Sequence, residues 1–339
     1  MTGTEPRGAA VMTAAQTPTP DGVRDAVRRL AARVVTTPVV RNDELDRLAG
    51  ARLWLKAECL QIGGSFKMRG ALLAVGRLAD AGTAGVLAQS TGNHAIAVAR
   101  AAREMGVPAT VVLPTDIAPG KLRQIRSTGA EVLLAGTTLA ERRTVLSQVR
   151  RTRGLDVVDP YEDPDVVAGQ GSATAEMLAQ VRAAGGRLDA IVLPVGGGSA
   201  VAGGCLATDG EDVLVVAAEP AAVPALTEAL RAGHPVTVRS RPTIADGLRP
   251  DRIGQLPFAL ARGRVADVVT VPEADIANAL CVTLMQARLL IEPAAATALA
   301  AALGLASRLG DRCRDIGVLL SGGNVDTGVV ARLLAAHQG

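Results

Sequence analysis

A chain of 339 residues with 48% hydrophobic side chains can bury a large core and has the length of two domains rather than one. Its 36 basic and 33 acidic residues form no sizeable run of one sign, so there is no electrostatic footprint for nucleic acid or another polyanion. Four cysteines (Cys59, Cys205, Cys281 and Cys313) without a CxxC pair and only three histidines give neither a zinc cluster nor a disulfide framework, and no 18-residue apolar run offers a membrane span, all of which fits a reducing cytoplasm.

In chain order, the first 20 residues, MTGTEPRGAAVMTAAQTPTP, lack an apolar stretch of signal-peptide length and read as a disordered tail. GGSFKMRG (63–70) then sets Lys67 behind Ser65 and Phe66 at an expected helix start. A lysine ordinarily keeps its ammonium in water, so other parts of the chain must supply a reason to aim this one inward. From about residue 85 a short apolar run, a Gly or Pro break and an Ala- and Arg-rich helical stretch recur. The strand candidates are 85–90, 109–114, 131–136, 155–160, 189–196, 213–220, 267–272 and 315–323. Several are apolar without alternation, as strands covered on both faces are, and their alternation with helices predicts parallel sheets in an α/β architecture. The first four recur every 20 to 25 residues or so, the spacing of a small βαβ domain. This predicts a small domain over 80–157 inserted in a larger one built from 21–79 and 158–339.

Three strand-to-helix turns carry polar groups where ligands of open parallel sheets collect. In QSTGNHAIAVARAA (89–102), Ser90, Thr91, Gly92, Asn93 and His94 form the turn. Ser or Asn can cap a helix starting near Ala95, but four hydrogen-bonding side chains in five positions exceed one cap and can hold a carboxylate. In PVGGGSAVAGG (194–204), Gly196, Gly197, Gly198 and Ser199 open the next helix, either as a phosphate cup or as a tight turn. Neither a Walker A loop nor GxGxxG is present. LLSGGNVD (319–326) repeats the form with Ser321, Gly322, Gly323 and Asn324, and alone it reads as a capped turn. Three such turns and an inward lysine are the parts needed to hold a phosphorylated, aldehyde-bearing cofactor.

The motifs GGSFKMRGA, STGNHA, YEDPDVVAGQGSA, PVGGGS, TIADGLRP, IEPAAATALAA and LLSGGNVD, in that order from about Thr37 to Asp326, resemble the serine/threonine dehydratase and serine racemase family, pyridoxal-phosphate enzymes of the tryptophan-synthase-β fold (fold type II). The resemblance implies two α/β domains with parallel or mixed sheets flanked by helices. It implies that Lys67 is the Schiff-base lysine and the base at Cα, with Phe66 its neighbour. Gly196, Gly197, Gly198, Ser199 and Ala200 would hold the phosphate, Ser199 standing where the family usually has a fourth glycine. Asn93 would contact the phenolic oxygen and Ser321 would face the pyridine nitrogen. Ser90, Thr91, Gly92, Asn93 and His94 would hold the substrate carboxylate, with Thr91 at the position of the racemases' serine hydroxyl.

A lysine desolvated beside a cofactor gives up its proton more easily. A neutral hydroxyl at Ser321 leaves the cofactor a modest electron sink, which favours expelling a β-leaving group. Ile96, where the family often has Gln, argues against a nucleotide site. Glu219 matches one ligand of the racemases' metal site, but Ala225 stands at the second acidic position, so no metal is expected. The expected activity is therefore an L-threonine- or L-serine-type ammonia-lyase that converts a small β-hydroxy amino acid to a 2-oxo acid and ammonia. Tyr161 and Pro250, the latter four residues past Asp246, stand at the implied substrate entrance and leave a specialised β-hydroxy acid open. Racemisation or β-replacement is the rival within the superfamily; a non-catalytic cofactor-binding protein and a Rossmann dehydrogenase are the rivals outside it. A cytoplasmic homodimer with a small amino-acid substrate, and no nucleic-acid or membrane partner, is expected.

Overall fold

The computed structural model of the protein describes residues 17–90, 92–117, 119–310 and 313–337. Most of the expected N-terminal tail lies outside them. Its last residues are ordered into structure: Thr19 accepts the Gly22 N–H and Pro20 opens helix α1 (Pro20–Leu30), a position where a missing N–H costs nothing.

Among the described residues ten strands form two sheets: β1 (Val39–Val40), β2 (Arg52–Lys56), β3 (Val86–Gln89), β4 (Ala109–Leu113), β5 (Glu131–Leu134), β6 (Asp156–Val157), β7 (Ala190–Pro194), β8 (Leu214–Pro220), β9 (Val265–Val271) and β10 (Asp315–Leu319). The larger sheet runs β1-β2-β10-β7-β8-β9, antiparallel only at β1, and the smaller runs β5-β4-β3-β6, all parallel. Each of the eight expected runs overlaps a strand, β9 beginning two residues before its run, and the α/β fold class stands. β1 and β2 are not among the expected runs.

The helices used below are α2 (Asp43–Ala49), α3 (Lys67–Asp80), α4 (Asn93–Met105), α5 (Pro119–Arg126), α6 (Leu139–Arg153), α7 (Pro164–Ala183), α8 (Ser199–Ala207), α9 (Ala225–Ala232), α10 (Gln255–Ala261), α11 (Glu273–Val282) and α12 (Pro293–Leu303). Covering on both faces explains the unbroken apolar strands. Val192, Val216 and Val318 pack with α2, α11 and α12, while their neighbours Ile191, Val215 and Leu319 pack with α7, α8 and α10. Among the described residues no helix is long and apolar enough to cross a membrane.

Helix α7 fixes where α3 and α8 begin. A Cβ on Gly70 of α3 would lie 2.6 Å from the Val166 carbonyl, and one on Gly169 would lie 2.5 Å from the Gly70 Cα. On the other side, a Cβ on Gly203 of α8 would lie 2.5 Å from the Gly171 nitrogen. With no side chains between them, the backbones touch, and the first residues of α3 and α8 flank one space. Beneath α3, Arg69 donates to Glu58 (2.7 and 2.8 Å) and Glu176 (3.0 and 3.1 Å), and Lys56 donates to Glu176 (2.5 Å) and the Thr37 carbonyl (2.7 Å). Lys56 and Glu58 have no solvent exposure and Arg69 almost none, so this paired cluster is a fixed floor.

Candidate active site

The turns after β3, β7 and β10 open into a single cavity of about 570 Å³, lined by Lys67, Ser90, Gly92, Asn93, His94, Gly196 to Ala200 and Ser321 among others. The segment before α3 is tied to the turn after β10: Phe66 N–H donates to the Ser321 carbonyl (3.0 Å), Gly323 N–H to the Gly64 carbonyl (2.9 Å), and Ser65 bridges Gly322 antiparallel. Lys67, the first residue of α3, therefore enters the cavity. Its Nζ donates to Ser199 Oγ (2.9 Å) and the Pro160 carbonyl (3.2 Å) and lies 5.0 Å from the centre of the Phe66 ring. Burial holds this amine down to about 8, against the partial opposition of the Asp159 carboxylate. An ordinary lysine would be a poor nucleophile here; this one is partly neutral near physiological pH.

The glycine loop is shaped by what surrounds it. Gly198 adopts φ +100°, and a Cβ there would lie 2.7 Å from Pro257. A Cβ on Gly197 would fall 2.0 Å from the ring of Tyr161, the chain's one tyrosine. The loop ends in the N-terminus of α8, where Ser199 and Ala200 N–H groups are without helical partners, so the concavity favours an anion.

Across the cavity, Asn93 opens α4. Its Nδ2 donates to Glu292 Oε1 (2.7 Å), and its Oδ1 accepts from Asn324 Nδ2 (2.9 Å). Ser90 Oγ accepts the Gly92 N–H (3.1 Å). Ser321 is 3% exposed and faces the cavity beside the α3 entry. His94 lines the cavity too, but its Nε2 lies 2.8 Å from the Val158 carbonyl. A carbonyl only accepts, so Nε2 carries the proton and the buried Nδ1, without a partner, is an acceptor. Burial, reinforced by the Lys67 charge, pushes this imidazole down to about 3, so it stays neutral and offers the cavity no N–H. Thr91 lies outside the described residues.

The cavity also contains residues to which the motifs assigned no role. Glu292, in IEPAAATALAA, is 2% exposed, and burial pushes its carboxyl up to about 7. Arg142 of α6 is 6% exposed; Nη1 donates to the Thr137 carbonyl (3.1 Å), while Nε is buried without a partner. Burial lowers its pKa, with the Asp116 charge acting the other way. Lys121 pairs with Asp246 (2.6 Å). Tyr161 and Pro250 both line the cavity. Glu219 sits elsewhere: its two oxygens accept the Leu226 (2.8 Å) and Thr227 (3.0 Å) N–H groups at the start of α9.

The sequence model of the family described as pyridoxal-phosphate dependent enzyme matches residues 30–322. Over 312 residues the chain is 36% identical to a serine racemase of Arabidopsis thaliana, covering 90% of this chain and 93% of that protein. It is 34% identical to the L-threo-3-hydroxyaspartate ammonia-lyase of Saccharomyces cerevisiae, covering 95% and 98%. The structure resembles that of a serine racemase from Dictyostelium discoideum with a TM-score of 0.84 at 34% identity, over 91% of this chain and 99% of that one.

Proposed function

Because the chain belongs to the pyridoxal-phosphate dependent enzymes and is a carbon–nitrogen lyase of the serine/threonine dehydratase type, we propose that its preferred substrate is a β-hydroxy amino acid with a second carboxylate, which it eliminates rather than racemises. Arg142 carries this reading. A guanidinium more than nine-tenths buried, with one N–H unpartnered beside a substrate-sized cavity, is costly unless an anion meets it. A monocarboxylic serine or threonine would spend its one carboxylate on the Ser90–Asn93 turn and leave Arg142 bare. The yeast relative named for 3-hydroxyaspartate supports the same class.

The residues present fit the cofactor. The Gly196–Gly198 loop, in which a Cβ at Gly197 would clash with Tyr161 and one at Gly198 with Pro257, leads into the N-terminus of α8, and the Lys67 amine stands 2.9 Å from the first hydroxyl of that helix. Ser199 and Ala200 N–H groups would take the phosphate, Asn93 the ring oxygen and Ser321 the ring nitrogen. Bound pyridoxal phosphate supplies a sink for the electron pair left at Cα when its proton departs. Lys67 as a neutral amine takes that proton, the Cα electrons expel the β-hydroxyl, and the proton taken from Cα balances the departing hydroxide, so that the elimination releases water. The released enamine hydrolyses to a 2-oxo acid and ammonia. Racemisation would need a second donor on the opposite face; His94 has none to give, which leaves that role to the Thr91 hydroxyl, and a β-branched threonine is restricted at χ1 where the racemases carry serine.

Release of 2-oxo acid from L-serine, L-threonine and L-threo-3-hydroxyaspartate, with chiral chromatography of the remaining substrate, tests this. The dicarboxylate should give the highest kcat/KM with little D-enantiomer. Arg142→Ala should lower its kcat/KM by ~30-fold or more, the loss of a buried charge contact of about 2 kcal/mol, and change L-serine far less. Preference for L-serine or L-threonine, unaltered by Arg142→Ala, overturns the dicarboxylate reading.

The working form is inferred to be a homodimer. Val35, Leu60, Ile62 and Leu290 remain exposed around the segment leading into Lys67, and a second copy would cover them. Light scattering should return twice the chain's 34.5 kDa; a monomer mass would refute the dimer.

A further inference from the structure

Glu292 has no share in holding phosphate, amine or substrate carboxylate, yet it is built into the site from both ends. Its N–H donates to the Gly322 carbonyl (2.9 Å), and its own carbonyl accepts from Ala295 (2.9 Å) and Ala296 (3.1 Å), so the residue is anchored at the start of α12. Gly322 leaves room for the carboxyl: a Cβ there would come within 2.6 Å of Glu292 Oε1. The polarity of the chain of side chains leading to it is fixed by a backbone group. The Gly63 carbonyl can only accept, so Asn324 Nδ2 donates to it (2.7 Å) and to Asn93 Oδ1 (2.9 Å). Asn93 must then turn its nitrogen to Glu292, at 2.7 Å. That amide has one further N–H, and Glu292 Oε2 is buried without a partner.

Among the described residues no cation neutralises this carboxyl directly. Lys121 of α5 is paired with Asp246, and the two act on Glu292 with opposite sign. Cys59, before α3, is the other titratable neighbour, and burial pushes its thiol up to about 11, so it stays neutral. An ionised carboxylate here has one hydrogen bond where a desolvated carboxylate wants several, whereas a carboxylic acid keeps Oε1 as acceptor for Asn93 and gives Oε2 a proton.

We propose that Glu292 takes up a proton when the cofactor binds, and that as a neutral acid it holds the Asn93 amide toward the cofactor's ring oxygen. This rests on the assignment of Asn93 to that oxygen. An anionic oxygen and a carboxylate sharing one amide would be like charges in a space without water, and protonating the carboxyl removes the repulsion. Glu292 is thus a positioning residue acting through Asn93, and near neutral pH the proton comes from solvent.

The test is calorimetric titration of the apoenzyme with pyridoxal phosphate in buffers of different ionisation enthalpy, at about pH 8, one unit above the carboxyl's value of about 7. Glu292→Gln should take up close to one proton fewer than the parent, and the difference should vanish at about pH 5.5, where the parent carboxyl is already protonated. Equal proton counts at pH 8, or a difference of opposite sign, overturn the proposal. Infrared difference spectra of the unmodified protein give a second readout: cofactor binding should raise a protonated-carboxyl band, and its absence overturns the proposal even if the variant does not fold. Asn93→Ala separates the two assignments. If it leaves cofactor affinity and visible absorption unchanged, the placement of Asn93 fails; if both change while proton counts stay equal in Glu292→Gln, only the role of Glu292 fails.

Discussion

Lys67 Nζ donates to Ser199 Oγ across 2.9 Å, joining the first residue of α3 to the first residue of α8, 132 positions later. The amine is thereby set at the rim of the glycine loop, and desolvation lowers its pKa to about 8. The neutral form is the nucleophile, and it accumulates as pH rises through that value. Attachment of pyridoxal phosphate to the apoprotein, trapped with borohydride, should therefore speed up with pH and level off above about 8, whereas an ordinary lysine would keep accelerating toward about 10.4. Peptide mapping should put the label on Lys67, and Lys67→Ala should carry neither label nor activity. A label on another lysine would refute the site.

Gly197 faces the Tyr161 ring, and a Cβ there would overlap it at 2.0 Å. Gly197→Ala should weaken cofactor binding by ~10-fold or more, because the loop or the ring must move by more than a packed interior tolerates. Tyr161→Ala in the same chain should recover much of the loss, a coupling between neighbours that a double-mutant cycle reads directly. Strictly additive effects would mean that the loop is strained for another reason.

Removing Arg69 leaves Glu58, which has no solvent exposure, without its cation. Arg69→Met should cost about 3–5 kcal/mol, read as a fall in the urea midpoint, since an uncompensated buried charge is worse than no pair at all. A loss below about 1 kcal/mol would place this cluster with ordinary surface pairs.

Both oxygens of Glu219 are engaged by backbone N–H groups of α9, and Ala225 has no ligand atom to offer beside them. Magnesium should leave the Tm unchanged, because only a bound ligand stabilises by mass action, and EDTA should not reduce activity. An EDTA loss restored by magnesium would contradict this.

What the sequence disclosed and what it hid follow from the range of the interactions. Runs such as AIVLP and DIGVL announce themselves because both faces are covered. RLWLK of β2 does not: its apolar centre is short, Arg52 at one end is exposed, and Lys56 at the other looks like a solvent residue until Glu176 is found opposite it. Lys67, Asn93, Ser199 and Ser321 are legible as local motifs, and the structure gathers them in one cavity. Arg142 is not, since LAERRTVLSQVRRTR has five arginines and only tertiary packing buries the first of them on the cavity. Glu292, just before a helix-starting proline, reads as an ordinary first-turn acid; its partner Asn93 is 199 residues away.

The tie between residues 64–66 and 321–323 also dictates an order of events. Lys67 leaves the ribosome well before the backbone groups that seat it, which belong to the turn after β10 some 255 residues later in the sequence, and β10 is also the strand that joins β2 to β7. Closing so long a separation is slow and comes late. The newly made chain therefore carries its reactive amine unseated until β10 and the turn after it have been made, and a product cut short before residue 315 should neither assemble the larger sheet nor retain the cofactor.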